Sequence, residues 1–315
     1  MGVPIASPAS GVGAHLKALF AFSRGLQATL SLAQPALAAI IAAHGFPEVQ
    51  VVLIGAVAAA SGFLAVFALN DFLDVGLDRR RFAFLKSFTG FDIDAAFVRH
   101  PLAQGYISYR EGFVWIAGMF VISAAGALYL NPWAAVCLVG AGALEVAYCR
   151  MAQVSAWKFL PTGVMVGLGA LAGWFAVDGD LDLRVLAFFV WMFAWEIGGR
   201  NIVNDWSDVE EDLHLGIKTV PVQFGVRTAA NLILGFVVLT LVASIGLAYA
   251  ASPYLNWFYV LWAVVFGAYT LLLPSWRLAR DHSTESAHRL FNLGSLYPPA
   301  MLVALVASLY LPGLS

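Results

Sequence analysis

Asn70-Asp71-Phe72-Leu73-Asp74-Val75-Gly76-Leu77-Asp78 and Asn204-Asp205-Trp206-Ser207-Asp208-Val209-Glu210-Glu211-Asp212 repeat one spacing, N-D-x-x-D-x-x-x-D, in a chain otherwise poor in charge. Each motif closes a long apolar run, and carboxylates in or beside a bilayer are costly enough to mark a functional site by default. Oxygen ligands without a neighbouring Cys or His cluster suit Mg²⁺ better than zinc or copper. Asp71, Asp74, Asp78, Asp205, Asp208 and Asp212 are therefore the candidate metal ligands. Mg²⁺ usually keeps phosphate oxygens and water beside one or two carboxylates, so the expected counterpart is a phosphorylated substrate, with a diphosphate bridging the two motifs.

Charge arithmetic makes the metal necessary. An anion about 4 Å from a carboxylate is repelled by roughly 4 kcal/mol at an effective dielectric near 20. A divalent cation inverts that sign, and it also stabilises the charge that develops on diphosphate as the C1–O bond of an allylic donor breaks. Cations would complete the site. Lys218, in Gly216-Ile217-Lys218-Thr219, and Arg99, in Arg99-His100-Pro101-Leu102-Ala103-Gln104-Gly105, are candidate diphosphate clamps. With Asp71, Asp74 and Asp208 they form the expected catalytic set; Asn70, Asn204 and Asn201 are expected to bind substrate.

The elements that must position these residues follow from composition. Hydrophobic residues make up 61% of the chain and charged residues 11%, with a mean hydropathy of +0.82; soluble domains run nearer 45–50% and about 25%. Apolar stretches of roughly 20 residues, enough to cross the hydrocarbon core, recur over 25–44, 50–70, 113–130, 132–149, 159–177, 184–203, 229–251, 256–274 and 290–311. The expected fold class is all-α: a polytopic membrane protein with about nine transmembrane helices around a central cavity, one domain over 1–315. Loops at 79–112 and 205–228 are expected to cap the cavity. No signal peptide is apparent, so the first span is expected to be retained.

Basic residues set the orientation. Lys17, Arg24, Arg79, Arg80, Arg81, Lys86, Arg99, Arg110, Arg150, Lys158, Lys218, Arg227, Arg277, Arg280 and Arg289 all fall in segments of one side, whereas Arg184 alone falls on the other. The positive-inside rule places the N-terminus and both motifs in the cytoplasm, in a bacterial inner membrane. These cations are spread over several loops and give no reason to expect nucleic acid. Cys137 and Cys149, far apart on one span, are expected to be free thiols.

If the helix continues through each motif, about 100° per residue places its Asn and three Asp on one acidic face. Two such faces four helices apart point to a weak internal duplication, with two helix pairs opposed across the cavity.

On these motifs the chain resembles the UbiA superfamily of intramembrane prenyltransferases. The match spans nearly the whole chain. The resemblance implies an R-P-L-x-x-G-like element at Arg99 to Gly105, here with His100 inserted, and a G-x-K-[ST] element at Gly216 to Thr219. It also implies a tyrosine and basic residues near the end of the fourth helix, matched by Tyr148, Arg150 and Lys158 as substrate-binding candidates. The implied activity is Mg²⁺-dependent transfer from a polyprenyl diphosphate to a small aromatic acceptor of the quinone-precursor type. A lipid-glycerol, phosphosugar or tetrapyrrole acceptor, or cyclisation of the cation, would use the same donor chemistry.

Other polar residues carry plainer readings. Arg79, Arg80 and Arg81 read as an orientation cluster at lipid headgroups, and His100 and His214 as loop histidines. Glu145, and Glu196 with Arg200, divide evenly between structural and acceptor-binding roles. Phe82, Phe84, Phe88, Phe91 and Phe97, with Asp92 and Asp94, lengthen the first cap. A cation transporter is the rival from another class, and it would need its carboxylates near the bilayer midplane. No obligatory protein partner is evident.

Overall fold

Asn131 shows how the chain turns between crossings. Extended backbone (φ −164°, ψ 133°) stops one helix, its side-chain oxygen accepts the Trp133 N–H at 2.9 Å, and Pro132, which lacks an N–H to orphan, starts the next. Ser108 with Glu111 forms a capping box, and Asp182, Asn256 and Ser283 cap other helices through side-chain oxygens.

The computed structural model describes residues 11–81, 97–177, 180–251 and 255–310. Among them every regular element is helical: α1 Val12–Phe22, α2 Gly25–Ala42, α3 Val49–Leu73, α4 Val75–Arg81, α5 Pro101–Gln104, α6 Tyr109–Leu130, α7 Pro132–Met151, α8 Ala156–Phe175, α9 over 183–207, α10 Val209–Leu215, α11 Val220–Ala250, α12 Trp257–Asp281 and α13 Thr284–Tyr310. Eight of these, α2, α3, α6, α7, α8, α11, α12 and α13, are long and apolar enough to cross a membrane. The ninth crossing expected from the sequence is α9, which runs Leu183–Glu196, makes a π turn over Ile197–Asn201 and resumes over Ile202–Ser207. Phe82, Phe84, Lys86, Phe88, Phe91, Asp92, Asp94 and Asp178 lie outside the described residues.

The crossings close into a ring. Helix α2 packs on α3 and α8, α3 on α6 and α7, α7 on α8, α8 on α9, α9 on α11 and α13, and α13 back on α12 and α2. The α2–α8 crossing is tight because Gly173 has no side chain: a Cβ there would overlap the Pro35 backbone carbonyl. In α11, Gly225 adopts φ 80°, a left-handed value that kinks the helix before its apolar run. Much of the expected 205–228 loop is helical, in the end of α9, in α10 and in the start of α11. At the far end His44 contacts Arg184, so the α2–α3 and α8–α9 connections share the face opposite the motifs.

Both acidic motifs depart from the continuous helix considered above. Helix α3 stops at Leu73, Asp74 takes φ −92° and ψ 4°, and α4 follows; α9 stops at Ser207, Asp208 takes φ −102° and ψ 11°, and α10 follows. The backbone bonds match as well. The Asp74 N–H donates to the Asn70 carbonyl at 3.0 Å and that of Asp208 to Asn204 at 3.2 Å, while the Asp78 and Asp212 N–H groups donate to Asp74 and Asp208 at 2.9 Å. Repetition of the break at the second Asp of each motif extends the sequence duplication into backbone geometry.

Candidate active site

Helix α3 ends by presenting Asn70 and Asp71 to its neighbours. Asn70 ties α3 to α7 and to the turn before α2: its Oδ1 accepts from Arg24 at 3.0 Å, and its Nδ2 donates to Glu145 of α7 at 2.7 Å and to the Cys149 sulfur at 3.5 Å. Asp71 lies 3.5 Å from Arg24 and 3.1 Å from His100 Nδ1, and the same His100 nitrogen lies 3.0 Å from Asp78. His100 is thus a buried bridge between two carboxylates rather than a loop histidine. Burial alone would lower its pKa, but Asp71 and Asp78 overcome this and raise it to about 9, so it is cationic at neutral pH. His214 is exposed and contacts the Glu210 carbonyl.

The second motif is met by cations from three other elements. Lys158, at the start of α8, places its ammonium 2.8 Å from Asp205 and 3.1 Å from the Tyr148 hydroxyl. Arg81, at the end of α4, lies 3.5 Å from Asp208, 3.3 Å from Glu211 and 3.2 Å from Asp212, and Arg99 lies 3.5 Å from Asp208. The first motif's helix therefore grips the second. This corrects the reading of Arg79, Arg80 and Arg81 as one orientation cluster: Arg79 and Arg80 are exposed, and Arg81 turns inward. Spacing held the signal, because Arg81 follows Asp74 and Asp78 at i+7 and i+3, on their face of a helix.

One cavity joins these groups. Asn70, Asp74, Asp78, Asn204, Asp205, Asp208 and Asp212 line its mouth, with Tyr148, Lys158 and Asn201 among the other expected residues. Beyond the mouth the walls turn apolar, with Ala58, Gly62, Val66, Leu138, Met165 and Gly169 on α3, α7 and α8. Asp71 and Arg99 sit at the side of the mouth beside Arg24, Arg81 and His100. Two expected residues are not among the lining side chains. Arg150 is exposed, and the Lys218 N–H is fixed to the Ala152 carbonyl at 2.7 Å in the segment after α10. Lys158 is the lysine that faces the cavity. Arg24, Arg81, His100, Glu145 and Arg200 are the site residues that motif reasoning left outside its candidate set.

The mouth can hold a hard divalent cation. Asp205 gives one oxygen to Lys158, and its other oxygen, buried, has no hydrogen-bond partner. Burial, then Asp78 and Glu145, push the Asp74 carboxyl up to about 7 against Lys158 and Arg24. Burial, then Asp205 and Asp208, push Asp212 up to about 8. Burial also pushes Asp208 up, but Arg81 and Arg99 outweigh it and hold the carboxyl below its usual range. At Asp74 and Asp212, burial and neighbouring carboxylates outweigh the cations within reach.

A ring of membrane-crossing helices, acid-lined at one mouth and apolar within, has the polarity of an intramembrane enzyme cavity, with one charged end and one hydrocarbon-like end. The comparisons with known proteins are specific. The UbiA prenyltransferase family matches residues 32–296. The chain is 27% identical over 283 residues to the 4-hydroxybenzoate octaprenyltransferase of Aromatoleum aromaticum, covering 88% of each chain. It is 30% identical over 273 residues to the protoheme IX farnesyltransferase of Desulforudis audaxviator, covering 83% of this chain and 82% of that one. A solved structure of a UbiA homolog from Archaeoglobus fulgidus bound to GPP and Mg²⁺ superimposes with a TM-score of 0.62 at 17% identity, over 92% of this chain and 99% of that chain. The chain belongs to the UbiA prenyltransferase family and is a membrane prenyltransferase.

Proposed function

We propose that the protein transfers a polyprenyl group from its diphosphate to a small aromatic acceptor of the quinone-precursor type, in a Mg²⁺-dependent reaction. The observation that carries this reading is the single cavity that both N-D-x-x-D-x-x-x-D motifs line and that continues into an apolar chamber. The A. aromaticum relative named for 4-hydroxybenzoate supports the acceptor class, and the neighbour bound to GPP and Mg²⁺ supports the donor and the ion. By the positive-inside rule the motif-bearing face and the N-terminus are cytoplasmic in a bacterial inner membrane. The whole chain acts as one domain, with 79–112 and 205–228 as its two caps.

Asp71, Asp74, Asp78, Asp205, Asp208 and Asp212 supply the ligand oxygens. When bound, Mg²⁺ neutralises their repulsion of the diphosphate and stabilises the electron pair that leaves with it. Lys158, Arg81 and Arg99 offer N–H donors to the phosphate oxygens, and Tyr148 orients the Lys158 ammonium. The apolar walls hold the prenyl chain and keep water from the allylic cation. The C1–O bond breaks, a ring carbon of the acceptor forms the new C–C bond, and the ring loses a proton. Purified protein given geranyl diphosphate and 4-hydroxybenzoate should release diphosphate and form a prenylated acid only with Mg²⁺ present, and Asp71→Ala or Asp208→Ala should abolish both. Turnover that persists in EDTA would refute the reading.

A further inference from the structure

On the outside of the ring, away from the cavity, a groove runs between α1 and α6. His15 and Leu19 of α1 form one wall, and Arg110, Val114, Gly118 and Met119 of α6 form the other. It adjoins a shallower hollow lined by Arg79, Tyr106 and Tyr109, because His15, Ser108 and Glu111 border both. Glycines on α6 separate packing from open space. A Cβ at Gly126 would meet Ala58 at 2.9 Å and one at Gly112 would meet Phe22 at 3.3 Å, whereas one at Gly118 would meet nothing within 4 Å. The groove therefore has a bare glycine in its wall.

Polarity changes along its length. At the motif-bearing end two guanidinium groups stand at the rim: Arg110 is exposed and has no ion-pair partner among the described residues, and Arg79 lies 5.6 Å from the Tyr109 ring centre. The rim's one carboxylate, Glu111, is engaged within the protein, accepting the Ser108 N–H at 2.7 Å and standing 3.6 Å from His15. Positive charge is left over. Further along α6, Val114, Gly118 and Met119 follow Arg110 on the groove side and are apolar. Ser108 to Met119 covers about 16 Å of helix axis, half of a hydrocarbon core roughly 30 Å thick. The groove is as deep as one leaflet. On α1, Val12, Leu16 and Phe20 form an exposed apolar stripe at i, i+4 and i+8, which suits a helix lying at the bilayer interface.

We propose that this groove seats one anionic glycerophospholipid of the leaflet on the motif-bearing side, with its phosphate at Arg79 and Arg110 and an acyl chain along Val114, Gly118 and Met119. Guanidinium forks match phosphate oxygens, and anionic lipids gather at basic interfacial residues. The lipid would brace α1 against α6 where Trp115 donates to the Ser23 hydroxyl at 2.8 Å. Arg24, the next residue, holds Asn70 and Asp71 at the cavity mouth.

Native mass spectrometry of the full-length protein in detergent tests this, with titration by a phosphatidylglycerol and by the phosphatidylcholine of the same acyl chains. One phosphatidylglycerol should bind at least fivefold more tightly than phosphatidylcholine. Gly118→Leu fills the groove without displacing a neighbour and replaces glycine by a better helix former, so it should weaken phosphatidylglycerol at least fivefold. The same change at Gly235 of α11, which is also exposed with open space above it, should leave binding within twofold. Arg79→Gln/Arg110→Gln should bring the two lipids within twofold of each other. At a hundredfold excess over its dissociation constant, phosphatidylglycerol should raise the unfolding midpoint of the wild type by about 5 °C, and that of Gly118→Leu by less. Equal binding of the two lipids by the wild type, unchanged binding in Gly118→Leu, an equal loss in Gly235→Leu, a preference that survives the double arginine change, or displacement of the lipid by glycerol phosphate alone would overturn the site. No prenyl donor enters these measurements, so their outcome is independent of the prenyl-transfer reading.

Discussion

Lys158→Met removes the cation that joins the start of α8 to the second motif, and its cost can be worked from the contact. The ammonium is 2.8 Å from Asp205, with side chains 5% and 6% exposed, and 4.7 Å from the Tyr148 ring centre. Deleting one partner of a buried pair strands the other charge, at about 3–5 kcal/mol. At about 2 °C per kcal/mol for a chain of this size, the metal-free variant should unfold roughly 6–10 °C lower. Replacing both charges by apolar groups is often neutral or stabilising, so Lys158→Met/Asp205→Leu should recover most of that loss. Mg²⁺ separates the pair from generic packing. A ligand at 100 times its dissociation constant stabilises by about 2.7 kcal/mol, and a carboxylate freed from its lysine binds the ion more tightly, so Mg²⁺ should raise the midpoint of Lys158→Met more than that of the wild type. The assay is tryptophan fluorescence during thermal unfolding in one detergent, with EDTA and with saturating Mg²⁺. A single variant that loses less than about 1 kcal/mol, or a double variant whose loss equals the sum of the two singles, would refute the reasoning.

Two further outcomes follow from the same electrostatics. Asp74 and Asp212, raised to about 7 and about 8, hold protons that a metal must displace, so Mg²⁺ affinity should fall as pH drops from 8 to 6 and binding should release protons; pH-independent affinity, read by calorimetry in buffers of different ionisation heat, would contradict this. Arg81→Met withdraws a cation 3.2–3.5 Å from Asp208, Glu211 and Asp212, so apparent Mg²⁺ affinity should rise at least tenfold while diphosphate release slows, and a Mg²⁺ titration of initial rates shows both.

Much of this site is visible in the amino-acid sequence because carboxylates are scarce against an apolar background, and identical spacing at Asp71 and Asp205 has no cheap alternative explanation. The crossings are legible for the same reason. The break at Asp74 and Asp208 is not, since neither motif holds a proline and the one glycine, Gly76, lies beyond the break. Local propensity is silent about it. Arg81 was hidden among three arginines, where the orientation rule treats all alike. Lys158 and Lys218 differ only through geometry: the resemblance implies a basic residue at each, but one ammonium meets Asp205 while the other residue's backbone is held at Ala152.

The two motifs, alike in backbone, differ in how their charge is met, and the difference locates the missing cation. At the first Asp, the protein supplies its own counterions: Arg24 and His100 for Asp71, Lys158 for Asp205. At the third it does so again, through His100 for Asp78 and Arg81 for Asp212. At the second, Asp208 has Arg81 and Arg99, whereas Asp74 has no ion-pair partner among the described residues. Asp74 also stands at the helix break, lines the cavity, and carries a carboxyl raised by burial and by Asp78 and Glu145. A carboxylate left uncompensated in a site that compensates its neighbours is costly unless something positive completes it. On the proposed reading, a divalent cation brought in with the diphosphate would meet that requirement at Asp74, the one motif position that the protein's own cations leave to the substrate complex.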